Sequence, residues 1–124
     1  MEENEIYSVL GEEGFLRLVG SFYRQVSTDD ILGPLYPEHD FAGAEERLRN
    51  FLIFRFGGPQ HYIEQRGHPR LRMRHAPFPV NQAARDRWMK LMESALRGIE
   101  APEEAKEILR SYFESTATAM MNRL

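Results

Sequence analysis

The chain has 124 residues, enough to bury one core, and reads as a single domain spanning 1–124. Its 42% hydrophobic and 28% charged residues are ordinary for a globular protein, and a mean hydropathy of -0.53 with no apolar run of about 18 residues argues against a membrane span. There is no cysteine and the net charge is -3, so disulfides, iron–sulfur ligation and thiol catalysis are excluded and a cytoplasmic location is expected.

The opening Met1-Glu2-Glu3-Asn4-Glu5 is acidic and reads as neither a signal nor a transit peptide. After a short turn expected around Ile6 to Leu10, the spacing predicts a helix over 12–27 with Phe15, Val19, Phe22, Tyr23 and Val26 inward. A tight corner follows from Thr28 to Leu35, punctuated by Gly33, Pro34 and Pro37. A second long helix is predicted over 41–56, with Phe41, Ala44, Leu48, Phe51 and Leu52 on one stripe. It ends at Gly57-Gly58-Pro59.

Two short helical pieces are expected at 60–66 and 68–75, divided by Gly67. The third long helix starts behind Asn81 as N-cap and carries Ala84, Trp88, Leu91, Met92, Ala95 and Ile99 at helical spacing. Pro102 in the first helical position, with Glu103 and Glu104 at the positive end of the dipole, opens the last helix. Its inward face is Ala105, Ile108, Leu109, Tyr112, Thr116, Ala119 and Met120. No run alternates as a strand would, and no repeat divides the chain. The fold class is all-α.

His75 is the most informative position. It closes a short helical run and is followed by Pro77 and Pro79, which lack N–H groups and leave carbonyls of the last turn unpaired. One such carbonyl can accept the His75 Nδ1–H, leaving Nε2 neutral and free to bind a metal. A lone histidine is too little for a four-ligand zinc site but enough for one axial bond to haem iron. Taken alone, the residue is more often a structural or surface histidine. His61, His68 and His75 lie seven apart, yet Pro59, Gly67 and Pro69 interrupt any helix that would align them as a metal face. From Gln65 to His75 four arginines (Arg66, Arg70, Arg72, Arg74) occur with no acid, a stretch suited to an anionic partner or a solvated exterior.

The order and separation of several motifs resemble the group II truncated haemoglobins over essentially the full chain. They are Phe22-Tyr23, Leu35-Tyr36-Pro37, Ala42-Gly43-Ala44-Glu45-Glu46-Arg47-Leu48, Phe56-Gly57-Gly58-Pro59, Tyr62, Gly67-His68-Pro69, Leu71-Arg72, Arg74-His75, Pro77-Phe78 and Trp88. The resemblance implies a two-over-two helical sandwich around haem b, with 12–56 packed against 82–121. It implies His75 as the iron ligand, and Tyr23, Tyr36 and Trp88 on the opposite, ligand-binding face. Ala44 stands where larger globins usually carry a distal histidine, so that imidazole is missing here. The two haem propionates imply charge-assisted partners, first Arg47 and Tyr62, then Arg72. Apolar walls are expected from Phe22, Leu48, Phe51, Leu71, Phe78 and Met92.

Tyr23 O–H, Tyr36 O–H and Trp88 Nε1–H supply three possible donors to the partly negative outer atom of a bound dioxygen. A charge-assisted bond contributes about 1.5–3 kcal/mol, so two would slow oxygen loss roughly a hundredfold to ten-thousandfold. That favours retention, sensing or redox chemistry on oxygen, nitric oxide or peroxide over free unloading. Carbon monoxide would bind as well. No flavin or reductase motif is present, so peroxidase or nitric oxide dioxygenase turnover would need an external electron donor. The alternative is a haem-free module whose Gln65–His75 run docks an anionic partner; the acidic net charge argues against nucleic acid. An unliganded helical scaffold is a third reading, and it leaves the paired prolines without a purpose.

Overall fold

The computed structural model describes residues 1–71, 75 and 79–123. Among them are five α-helices: α1 (Ile6–Val26), α2 (Phe41–Arg55), α3 (His61–Arg66), α4 (Gln82–Arg97) and α5 (Glu103–Ala119), with no strand. α1 packs on both α2 and α4, and α4 packs on α5, so an α1/α2 layer faces an α4/α5 layer. The stripe expected on the first helix is buried in full: Phe15, Val19, Phe22 and Val26 are inaccessible, as is Leu18 between them. Each such side chain removed from water contributes about 1.5–3 kcal/mol.

Several boundaries differ from the periodicity reading. Residues 6–10 are helical rather than a turn, and α1 bends at Gly11, whose φ of 70° departs from the helix. Pro102 is the N-cap of α5, not its first helical residue. Its extended ψ of 144° leaves the carbonyl to accept Lys106 N–H at 3.1 Å, while Glu103 and Glu104 fill the first turn. On α5 the buried face includes Phe113, and Ala119 is exposed. The α5 stripe therefore keeps Ala105, Leu109, Tyr112, Thr116 and Met120, adds Phe113 and Ala117, and loses Ala119. Of the predicted 68–75 piece, residues 72–74 lie outside the described residues.

The connections are built from side chains as well as backbone. Asp40 caps α2 by accepting Gly43 N–H at 2.9 Å, and Asn81 caps α4 by accepting Ala84 N–H at 2.9 Å. The corner after α1 is organised by Asp29, which accepts the amides of Ile31 and Leu32 and pairs with Arg87 of α4 at 2.6 Å. Two 3-10 turns, Gly33–Leu35 and Pro37–His39, then swing Tyr36 back against Tyr23.

Candidate haem site

Between the two layers lies a cleft of about 550 Å³, within the range of sites for small molecules and cofactors. Three helical stripes line it. Ala44, Arg47, Leu48, Phe51 and Leu52 of α2 follow the three-and-four spacing of one face. Tyr112, Phe113, Thr116, Ala117 and then Met120 do the same at the end of α5. Ala84, Arg85 and Trp88 come from the first turns of α4. The corner adds Leu32, Leu35, Tyr36 and Pro37, and α1 adds Tyr23.

His75 lines the same cleft, its Nδ1 2.7 Å from the carbonyl oxygen of Leu71. A carbonyl only accepts, so Nδ1 is the donor in this bond, the tautomer in which Nε2 is the nitrogen that can ligate a metal. The lining is dominated by aliphatic and aromatic side chains. Arg47, Arg66 and Arg85 are its charged members, and no carboxylate lines it among the described residues. Apolar walls, an imidazole nitrogen and three guanidiniums, with no carboxylate in the lining among the described residues, suit a flat apolar macrocycle that carries a metal and two carboxylates. The donor set fits haem.

Tyr23 and Tyr36 meet edge to face, with ring centroids 5.6 Å apart and hydroxyl oxygens at 3.4 Å, where either can donate. Burial pushes the Tyr23 phenol well above its ordinary pKa, and the neighbouring Tyr36 adds to this. Burial raises Tyr36 too, against the opposing pull of Tyr23 and Arg47. Trp88 is clamped between Phe22 at 5.0 Å and Phe113 at 5.6 Å between centroids. The cleft thus holds two neutral phenols and one indole, all able to donate.

Ten of the residues singled out from sequence converge on this cleft: Tyr23, Tyr36, Ala44, Arg47, Leu48, Phe51, Tyr62, Leu71, His75 and Trp88. Phe22 and Met92 do not line it. Both are fully buried, and Phe22 supports Tyr23 and Trp88 from behind. Arg72 and Phe78 lie outside the described residues. Arg47 pairs with Asp40 at 3.6 Å with both side chains half-exposed, a weak contact that a carboxylate ligand could replace. The sequence reading named no residue of α5 as a site residue. Its signal was the small pair Thr116–Ala117 within an otherwise bulky stripe, which leaves room rather than filling it.

Comparison with known proteins agrees with this geometry. Residues 5–122 match the profile of the bacterial-like globins. The chain is 36% identical to the group 2 truncated hemoglobin YjbI of Bacillus subtilis, over 97% of this chain and 90% of that protein. The chain belongs to the group II truncated haemoglobins. Its fold superposes on the thermostable hemoglobin of Thermobifida fusca with a TM-score of 0.91 at 46% identity, covering 94% of this chain and 96% of that one. The truncated oxygen-avid haemoglobin of Bacillus subtilis gives 0.87 at 36% identity, covering 94% and 98%. The two-layer helical arrangement is therefore the two-over-two globin fold, and the cofactor of this truncated haemoglobin is haem with its iron. It is an oxygen-binding globin.

Proposed function

We propose that this truncated haemoglobin holds dioxygen with slow release and uses it for retention, sensing or redox chemistry rather than free delivery. The observation that carries this reading is the convergence of Tyr23, Tyr36 and Trp88 on the cleft that His75 also lines. Bound haem supplies a ferrous iron that takes up a diatomic ligand and shares electron density with it. His75 would hold that iron through Nε2, its ring fixed by the Nδ1–H bond to Leu71. Trp88 Nε1–H and one of the phenols would donate to the negative end of a bound ligand. Arg47 and Arg66 would pair with the propionates.

A second use, conversion of nitric oxide or peroxide in the cytoplasm with electrons from an external donor, is favoured by the number of polar donors. Three are more than retention alone requires. The haem-free docking module gives way, because the basic run itself contributes Arg66, Leu71 and His75 to the cleft wall. The test is a haem titration of the parent and of His75→Ala, followed by stopped-flow oxygen release. A Soret band with a reduced carbon monoxide spectrum in the parent, lost or altered in His75→Ala, and release well below that of a freely unloading globin are expected. Unchanged haem binding in His75→Ala would overturn the ligand assignment, and rapid release would overturn the retention reading.

A further inference from the structure

After α5 ends, the chain turns and runs beside Val80. Asn122 N–H donates to the Val80 carbonyl at 2.9 Å, and Arg123 N–H reaches the same oxygen at 3.2 Å. In return, Val80 N–H donates to Asn122 Oδ1 at 2.9 Å, and Asn122 Nδ2 donates to the carbonyl of His75 at 3.2 Å. One amide side chain thus grips the backbone at both ends of the segment between His75 and Val80, in trans to that segment by more than forty residues.

The chemistry of the segment explains why an amide belongs there. The His75 carbonyl would find its helical partner in the N–H of residue 79, but residue 79 is proline and has none. The Asn122 NH2 donates to this part-buried carbonyl where the helical donor of residue 79 is absent. Val80, just beyond that proline, offers an amide N–H that needs an acceptor, and Oδ1 supplies it. Only a side chain with a donor and an acceptor on one carbon meets both demands. Asp loses the donor, and Ala loses both.

Resting on the haem-ligand reading above, we propose that Asn122 is a positioning residue for His75. The C-terminal tail latches the backbone of the iron ligand, just as the Leu71 carbonyl fixes its ring. The orientation of the imidazole, and so the strength of its bond to iron, depends on this latch. Val80 and Met120 line the cleft beside His75, so loosening the latch also opens that wall.

The test uses full-length, haem-loaded protein and two variants, Asn122→Ala and Asn122→Asp. The readouts are the iron–histidine stretching band of the reduced protein, the rate of haem transfer to apomyoglobin, and hydrogen exchange at the Val80 amide. Both variants are expected to shift and broaden the band and to speed haem loss about tenfold. Asn122→Asp keeps the Val80 amide protected, which separates loss of the His75 contact from general loosening of the tail. In His75→Gly supplied with free imidazole the ligand is no longer tied to the backbone, so adding Asn122→Ala should leave the band where it was. An unchanged band and unchanged haem loss in both variants would overturn the latch, as would an equal shift in the imidazole-supplied background. A parent protein without an iron–histidine band would instead overturn the ligand reading on which the latch stands.

Discussion

The hydroxyl oxygens of Tyr23 and Tyr36 stand 3.4 Å apart on perpendicular rings, and both face the haem cleft. Two phenols at that separation divide their roles: one donates to the other, and the second keeps its proton for whatever occupies the cleft. Removing either hydroxyl therefore changes both. We expect Tyr23→Phe and Tyr36→Phe each to speed oxygen release about tenfold, the size of one hydrogen bond to a polarised ligand. The double variant should be less than a hundredfold faster, because the two losses overlap. Strictly multiplicative effects in stopped-flow release would show that the phenols act separately.

Both phenols titrate above their ordinary value because burial disfavours the phenolate. They stay protonated through the neutral range, so oxygen release should be flat between about pH 6 and 9. A folded pKa raised above the unfolded one contributes stability that is present below about pH 10 and fades as pH rises further, because only the unfolded phenol ionises. Melting temperature should fall above about pH 10, and less so in Tyr23→Phe. A parent and Tyr23→Phe with parallel alkaline melting curves would refute this.

Trp88 gives a cleaner test of donation. Its ring meets Phe22 at a tilt and Phe113 edge to face, so a phenylalanine at 88 keeps an aromatic ring in that cluster and removes Nε1–H. Trp88→Phe should fold and bind haem, lose at most about 1–2 kcal/mol of stability from its smaller ring, and release oxygen about ten- to a hundredfold faster. Release equal to the parent would show that the indole packs the cleft without donating to the ligand.

The roles of Tyr23, Tyr36 and Trp88 came from the family resemblance, with Tyr36 in the corner between two 3-10 turns; spacing by itself put only Tyr23 and Trp88 on inward faces of periodic helices. The α2 stripe from Ala44 to Leu52 was legible from spacing too, since one helical face cannot avoid the core. Phe22 and Met92 share that periodicity, and spacing alone does not tell a cleft wall from the layer behind it. Phe113 was harder still: it adjoins Tyr112 at the edge of the expected α5 stripe, and how far that buried face spreads around the helix depends on tertiary packing. Asn122 carried no local signal at all: its partners, His75 and Val80, lie more than forty residues away.

The corner that carries Tyr36 depends on Asp29. Its side chain is 7% exposed and accepts the Ile31 and Leu32 amides while pairing with Arg87 at 2.6 Å. Burial alone would raise its pKa, but the Leu32 amide, the Arg87 guanidinium and the Ile31 amide together hold it below the ordinary carboxylate value. Glu93, doubly bonded to Arg110 of α5 at 2.7 and 2.8 Å, is lowered as well, chiefly by that arginine. Depressed folded pKa values contribute stability that is present above about pH 4 and lost as pH falls through the folded values, where the unfolded chain binds more protons. The melting temperature should therefore drop between about pH 5 and pH 2. Asp29→Ala should cost about 1–3 kcal/mol at neutral pH, because the two amides and Arg87 lose their acceptor while exposed Asp30 remains a weak substitute. An Asp29→Ala protein that melts with the parent at pH 7 would contradict this account of the corner.

Two glycines with positive φ separate strain from contact. Gly11, at φ 70° and ψ 172°, has nothing within 4 Å of where a Cβ would stand, so Gly11→Ala meets only a backbone penalty, about 1–3 kcal/mol in this region that is essentially reserved to glycine. At Gly57, φ is 99° and a Cβ would stand 2.1 Å from the backbone carbonyl oxygen of Asn4. That contact cannot be relieved by a rotamer change. The N-terminal turn must lift away, weakening the Tyr7 N–H bond to Phe56 O and the ion pair of Arg55 with Glu3 that tie the turn to the end of α2. Gly57→Ala should thus cost at least about 2 kcal/mol more than Gly11→Ala in urea unfolding, with unchanged oxygen release because neither glycine lines the cleft. Equal midpoints for the two variants would mean that the N-terminal turn yields freely and contributes nothing to holding α2 in place.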